Sequence, residues 1–176
     1  HGKDLASRLR EIGDFEVIGT FYRNAIEGGH HLDLKRPLPP FLLDSLDKDT
    51  TVVALSAIAD PRAAFTNLTD TNALNVKGVG RLVKAVSRRG ARLIFSSSVE
   101  VLDGSTNVQD EMAQPNPLNT YGASKLAIER ELQDLMVLGT YSIVRTPWII
   151  HKDLQSRCLI KDAYQNMLKK GGARLA

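Results

Sequence analysis

Residues 117–133 read Pro-Leu-Asn-Thr-Tyr-Gly-Ala-Ser-Lys-Leu-Ala-Ile-Glu-Arg-Glu-Leu-Gln, and the rest of the chain takes its frame from them. The segment 121–138 reads as a helix. Tyr121 and Lys125 then lie one turn apart on the same face. An ammonium beside a phenol favours the phenolate, so the phenol's pKa is expected to fall below its usual value of about 10. Tyr121 becomes a candidate to give or take a proton near neutral pH. Upstream, Ser96-Ser97-Ser98 closes the apolar run 91–95, where a strand would pass into a loop. In an open parallel sheet the ligand crevice lies beyond the carboxyl ends of the strands. Ser98 and Tyr121 are therefore expected to meet on one substrate oxygen. A tyrosine and a lysine four apart are, alone, a common solvated helix face. The order strand, serine cluster, proline-bearing loop and helix is what gives the pair weight.

The 176 residues suffice for one domain with a real core. The apolar share of 43% and charged share of 24% are those of an ordinary globular chain. The net charge of +3 is small and its lysines and arginines are scattered, so nucleic acid is not an expected partner. A mildly positive surface suits a phosphate-rich cofactor equally well. No apolar run approaches the roughly 20 residues that span a bilayer, so no membrane partner is expected. The single cysteine, Cys158, leaves no internal disulfide and fits a reducing compartment, so a cytoplasmic location is expected. Cys158 itself reads as a small apolar core residue.

In chain order, residues 3–12 read as a helix stopped by Gly13. Residues 16–21 and 30–34 read as strands, and 41–46 as a short helix after Pro37, Pro39 and Pro40. Residues 51–56, Thr-Val-Val-Ala-Leu-Ser, form a β-branched run suited to a strand buried on both faces. A helix lies within 65–89, with Leu74, Gly78, Leu82 and Val86 at i+4 spacing. Strands follow at 91–96 and 141–145, separated by the loop 101–120 and the Tyr121 helix. A last helix is expected near 156–169. Alternating helices and apolar strands imply an α/β fold with a parallel sheet wound on both faces.

The text Ser-Ser-Ser-Val-Glu-Val-Leu-Asp-Gly at 96–104, the acidic pair Asp110-Glu111, the stretch 115–133 and Tyr-Ser-Ile-Val-Arg-Thr-Pro-Trp-Ile-Ile at 141–150 together resemble the extended short-chain dehydrogenase/reductase superfamily. The resemblance is closest to the dTDP-4-dehydrorhamnose reductase-like branch, and it covers nearly the whole chain. It implies a Rossmann-type doubly wound sheet. It also implies that Ser98 holds a substrate oxygen, that Tyr121 moves its proton, and that Lys125 binds the nicotinamide ribose. A dinucleotide fold begins with a strand and a Gly-rich turn. Here the residues from His1 read as the first turn of the helix that follows, with Gly2 in the place of the last glycine. In the family's sheet the first strand lies between those read at 16–21 and 51–56. The expectation is therefore a chain lacking its first strand and most of a C-terminal substrate lobe. Residues 1–150 form the NAD(P)-binding domain and 151–176 the start of a substrate-binding region.

Further positions follow from the same resemblance. Arg23 stands where an acidic residue would hold a ribose 2′-hydroxyl, and an arginine suits a 2′-phosphate, which favours NADP over NAD. Asp33 and Leu34 close the strand near the adenine. His30 and His31 precede them; neighbours on a strand point to opposite faces, so no metal site is expected. Ser56-Ala57-Ile58 stands where small residues face the cofactor, and Ile58 departs from that pattern. Asn75 resembles the family's Asn-Val-x-Gly and serves either a backbone group or a proton relay. Ser96 lies against the cofactor, Glu100 is a candidate substrate contact, Pro147 would touch the nicotinamide amide, and Trp148 reads as core.

The expected activity is NADP(H)-dependent oxidation or reduction at a carbonyl or hydroxyl carbon of a nucleotide-linked sugar. Two other readings stay open: a non-catalytic NADP-binding regulatory subunit, and an epimerase or dehydratase holding NAD. The family resemblance also allows a homodimer through helices equivalent to 65–89 and 121–138.

Overall fold

A computed structural model describes residues 2–106, 109–137 and 139–147. The elements discussed below belong to one compact unit, His1–Arg145, apart from the final residue of the last strand. The helix expected at 156–169, Trp148 and Cys158 lie outside the described residues.

The chain runs α1 (Gly2–Ile12), β1 (Thr20–Phe21), β2 (His30–His31), α2 (Pro40–Asp44), β3 (Thr51–Ala54), α3 (Pro61–Thr66), α4 (Leu68–Thr71), a π-helical stretch (Asn72–Gly78), α5 (Val79–Arg88), β4 (Arg92–Ser98), a 3-10 turn (Val99–Val101), α6 (Thr120–Leu135) and β5 (Tyr141–Thr146). The order β3-β4-β5 makes one sheet and β1-β2 another. Pairs β1/β2 and β3/β4 are parallel, with Thr20 opposite His30 and Val53 opposite Ile94. This is the expected α/β, Rossmann-like arrangement. The two sheets are not hydrogen-bonded to each other among the described residues.

Several elements differ in extent from expectation, each for a physical reason. The run at 16–21 pairs only at Thr20–Phe21, because β2 is its one neighbour. β2 stops at His31, and Asp33 then turns the chain: its Oδ1 accepts from Lys35 N at 2.9 Å and its carbonyl from Arg36 N at 2.9 Å. The short helix begins at Pro40, whose missing N–H is harmless at a first helical position. The helix expected within 65–89 is four pieces. It starts at Pro61 because Asp60 caps it, accepting from Arg62 N and Ala63 N. β4 runs on to Ser98 rather than ending at Ser96, so the serines sit in strand, with Ser98 still extended at φ −143° and ψ 149°.

The core lies on the side of the sheet covered by α5 and α6. Leu93 and Phe95 of β4 meet Val79, Leu82, Val83 and Val86 of α5 and Ile128 and Leu132 of α6. Alternation along β4 puts Ser97 on that same buried side. Helix α1 has no buried residue. Gly78 fixes how the π-helical stretch meets the end of β2. A Cβ there would stand 2.6 Å from the Leu34 carbonyl oxygen, so no larger residue allows the approach. Arg81 also donates to that carbonyl. The exit of β2 is thereby tied to the helices that carry the rest of the site.

Candidate active site

Asn119 starts α6. Its Oδ1 accepts from Gly122 N at 2.8 Å, and its Nδ2 donates to Glu100 Oε2 at 2.7 Å. One side chain thus caps the helix and ties it to the turn after β4. Gly122 makes the tie close: an added Cβ would collide with the Glu100 carbonyl oxygen. Gly122→Ala is expected to cost about 1–3 kcal/mol, the scale of overpacking in a dense interior. Thermal unfolding reads it; an unchanged melting temperature would mean the turn shifts freely.

This packing brings Ser98 and Tyr121 together, as the sequence predicts. The Ser98 hydroxyl and the Tyr121 phenol share a hydrogen bond, and the Ser98 oxygen also accepts from Glu100 N at 3.2 Å. Both side chains are buried. Lys125, 4% exposed, donates from Nζ to the Ser96 carbonyl at 2.6 Å. Its ammonium lies 4.9 Å from the Phe95 ring centroid and 5.6 Å from that of Tyr121.

The acidity of the phenol goes the other way from expectation. Burial, and then the negative charge of Glu100, push the Tyr121 pKa up; the Ser98 hydrogen bond opposes them. The lysine does not offset these causes. Burial pushes Lys125 down to about 8, so the cation counted on to favour the phenolate is itself desolvated, and it is committed to a carbonyl. Tyr121 is therefore held as a protonated donor at neutral pH.

Lys125 also sets a pH dependence of stability. Unfolded, it titrates near the usual ~10.4; folded, at about 8. Below the folded value both states carry the proton and the full penalty of burying a cation is present. Between the two values the unfolded chain binds more protons, so stability rises with pH. Above about 10 the Tyr121 shift acts in reverse, because the unfolded phenol ionises first. The free energy of unfolding measured in urea is expected to rise between about pH 8 and 10, by about 2–3 kcal/mol, and Lys125→Met should lose that rise. An equal rise in the variant would place the titration elsewhere.

Asn75, in the π-helical stretch, answers the sequence's open question in favour of the backbone. Its Oδ1 accepts from Ile58 N at 2.8 Å and its Nδ2 donates to Ile58 O at 3.1 Å. The same Nδ2 donates to Ser124 Oγ at 3.2 Å, and Ser124 in turn to Tyr121 O at 2.7 Å. Asn75 so fixes the segment after β3 against α6. Irregular helix turns of this kind recur at functional sites.

The remaining candidates follow β1, β2, β3 and β5 in the chain, except Gly2, which opens α1. Arg23, after β1, is exposed and lies over the Tyr22 ring at 5.7 Å. Asp33 follows β2, half-buried; Leu34 turns its side chain into the core, leaving only its backbone toward a ligand. Ser56 is exposed, with Ala57 and Ile58 half-buried, after β3. Gly2 is exposed, and a Cβ there would stand 3.5 Å from Leu55. Pro147, directly after β5, is exposed. His30 stacks on Phe41 at 4.5 Å, whereas His31 meets Phe21 and Tyr22 at 5.8 and 6.0 Å, the opposite facing expected of neighbours.

Sequence reasoning missed the group beneath this site. Glu129, 1% exposed, accepts from the Ser97 hydroxyl and takes a forked pair from Arg145, Nε at 3.1 Å and Nη2 at 2.7 Å. The signal was present: Glu129 is four residues past Lys125, on the same helix face.

Parallel strands with a serine, tyrosine and lysine clustered at a strand exit define a Rossmann-like fold of the short-chain dehydrogenase/reductase kind. The chain belongs to the RmlD substrate-binding-domain family, which matches residues 3–174. It is 32% identical over 151 residues to a dTDP-4-keto-6-deoxy-D-glucose reductase of Streptomyces niveus, covering 84% of this chain and 49% of that protein. It is 31% identical over 129 residues to methionine adenosyltransferase 2 subunit beta of Xenopus tropicalis, covering 73% of this chain and 38% of that one. The chain spans half or less of the length of these curated relatives. Among solved structures, a hypothetical dTDP-4-dehydrorhamnose reductase from Sulfolobus tokodaii superposes with a TM-score of 0.79 at 26% identity, over 98% of this chain and 59% of that one. MoeE5 in complex with UDP-glucuronic acid and NAD superposes with a TM-score of 0.69 at 30% identity, over 81% and 48%.

Proposed function

We propose that this chain supplies the dinucleotide-binding and proton-transfer part of an NADP(H)-dependent reductase acting on a carbonyl of a nucleotide-linked sugar. The observation that carries the reading is the Ser98–Tyr121 contact at the exit of β4, with Lys125 buried behind it. The residues present fit a dinucleotide: an exposed guanidinium follows β1, and an exposed or half-buried, mostly small segment follows β3, the neighbour of the strand that carries the serines. Arg23 would take the 2′-phosphate, Asp33 and the Leu34 backbone the adenine side, Ser56 to Ile58 the phosphate side, and Lys125 with Ser96 the nicotinamide ribose side. Gly2 and Pro147 complete that proposed contact set. When bound, the cofactor supplies the hydride. Ser98 hydrogen-bonds the substrate oxygen, and Tyr121 gives that oxygen its proton. The resulting phenolate lies beside the Lys125 ammonium, 5.6 Å from its ring centroid. A phenol kept protonated suits the reductive direction. Glu100, beside Tyr121, is the proposed substrate contact.

Residues 1–150 serve as the cofactor domain and 151–176 as the start of the substrate region in this reading. The proposed location is cytoplasmic; among the described residues no helix is long and apolar enough to cross a membrane. Exposed Phe65 and Leu118 line one groove with Pro61 and Ala123 and offer a face for the homodimer; solution mass tests it.

The test is direct. The intact protein is mixed with NADPH and a panel of keto and hydroxy sugar nucleotides, and nicotinamide absorbance is followed. Consumption with a keto sugar supports the reductase. Interconversion without net consumption, with NAD retained, would make it an epimerase or dehydratase. The 31% identity to an adenosyltransferase subunit favours one further reading, a cofactor-binding subunit of another enzyme. Tight NADPH binding with no turnover on any sugar would select it.

A further inference from the structure

Three successive residues at the end of β4 are each tied to α6, one turn apart on the helix. Ser98 reaches Tyr121, the Ser96 carbonyl accepts from Lys125, and the Ser97 hydroxyl donates to Glu129. The third tie alone continues to the next strand, through the Arg145 fork on β5. Arg145 Nη1 reaches on to the Glu111 carbonyl at 3.4 Å. Both Glu129 oxygens are occupied, and the group is 1% exposed.

We propose that Glu129 is a positioning residue for the Tyr121–Lys125 pair: clamped between Ser97 and Arg145, it fixes the register of α6 against β4 and β5 and so places Lys125 on the Ser96 carbonyl and Tyr121 on Ser98. A buried ion pair serving stability alone would work equally well wherever it closed the core. This one ends on the serine between the two that contact the reacting pair. Fixing the middle residue of a strand segment fixes both neighbours, because the pleat leaves no slack between them. The inference rests on Tyr121 and Lys125 being that pair.

The test follows the titration of Lys125 by NMR of the intact protein with labelled lysine, assigned through Lys125→Arg. The titratable groups of the cluster are Tyr121 and Glu129 on α6, Glu100 after β4 and Arg145 on β5. Glu129→Gln and the milder Ser97→Ala are compared with Val86→Ala, a core truncation remote from the clamp. If Glu129 positions the helix, releasing it admits water to Lys125, and its titration rises from about 8 toward the usual ~10.4. Losing the carboxylate charge alone would move it the other way, so the sign separates positioning from simple proximity. Val86→Ala should lower the melting temperature and leave Lys125 unmoved. A Lys125 titration unchanged or lowered in both folded clamp variants overturns the proposal. The readout needs no turnover, so a titration that rises in a protein inert toward every sugar nucleotide would keep the clamp and remove the enzymatic reading.

Discussion

Tyr121→Phe is expected to lower turnover of the intact protein by about 10²–10⁴-fold, the range general acid catalysis contributes, while NADPH affinity stays near the parent's. The substitution removes one oxygen and keeps the ring. The ring is buried against α6's neighbours and beside the Lys125 ammonium, so packing and the cation contact survive. Only the proton and the Ser98 hydrogen bond are lost. Steady-state kinetics with NADPH and the substrate found in the panel, together with a binding isotherm for NADPH, separate the two effects. Normal turnover would take Tyr121 out of the mechanism; an equal loss of cofactor affinity would mean that the phenol holds the ligand rather than the proton.

Glu129→Ala is expected to have the second largest effect, a loss of about 3–5 kcal/mol of stability. The reason lies in what remains. Arg145 would keep a largely buried guanidinium without its forked partner, and Ser97 a buried hydroxyl without its acceptor. Adding Arg145→Met should return a large part of the loss, because the stranded charge goes with it. Denaturant unfolding of the two single variants and the double variant gives the coupling. Strictly additive losses would show that the pair contributes no more than its separate contacts.

The two effects belong to different links of the same arrangement. In the proposed function Tyr121 acts at the reacting atoms. Glu129 acts two turns away, on the helix that presents them. Both depend on β4 continuing as a strand through Ser98. In a loop the three serines would be free to rotate; in a strand their side chains alternate between faces, which holds Ser97 on the side that α6 covers.

Much of this was legible in residue order. The helix carrying Tyr121 and Lys125 was read from the stretch that follows the proline-bearing loop. Strands β3 and β4 read from β-branched and apolar runs. The run at 16–21 was read too long, because propensity reports what a segment can do and not how many strands stand beside it. The helix within 65–89 was read as continuous, because i+4 spacing is blind to the extra residue a π turn inserts. The role of Asn75 stayed open, since its partner Ile58 lies 17 residues away and only folding brings the two together.

By itself the sequence determined the class of fold and the candidates for the reacting groups: β-branched runs and a Tyr-x-x-x-Lys pair behind a serine cluster follow from local chemistry. Tertiary structure decided the protonation. A phenol beside a lysine reads as acidified only while the lysine is taken as a full cation in water. Burial of the phenol and the Glu100 charge beside it outweigh the Ser98 hydrogen bond, and the balance turns toward a proton held rather than released. It also decided which carboxylate matters: among the acids of α6, Glu129 is the one whose two oxygens are enclosed between strands, where desolvation makes each of its contacts count.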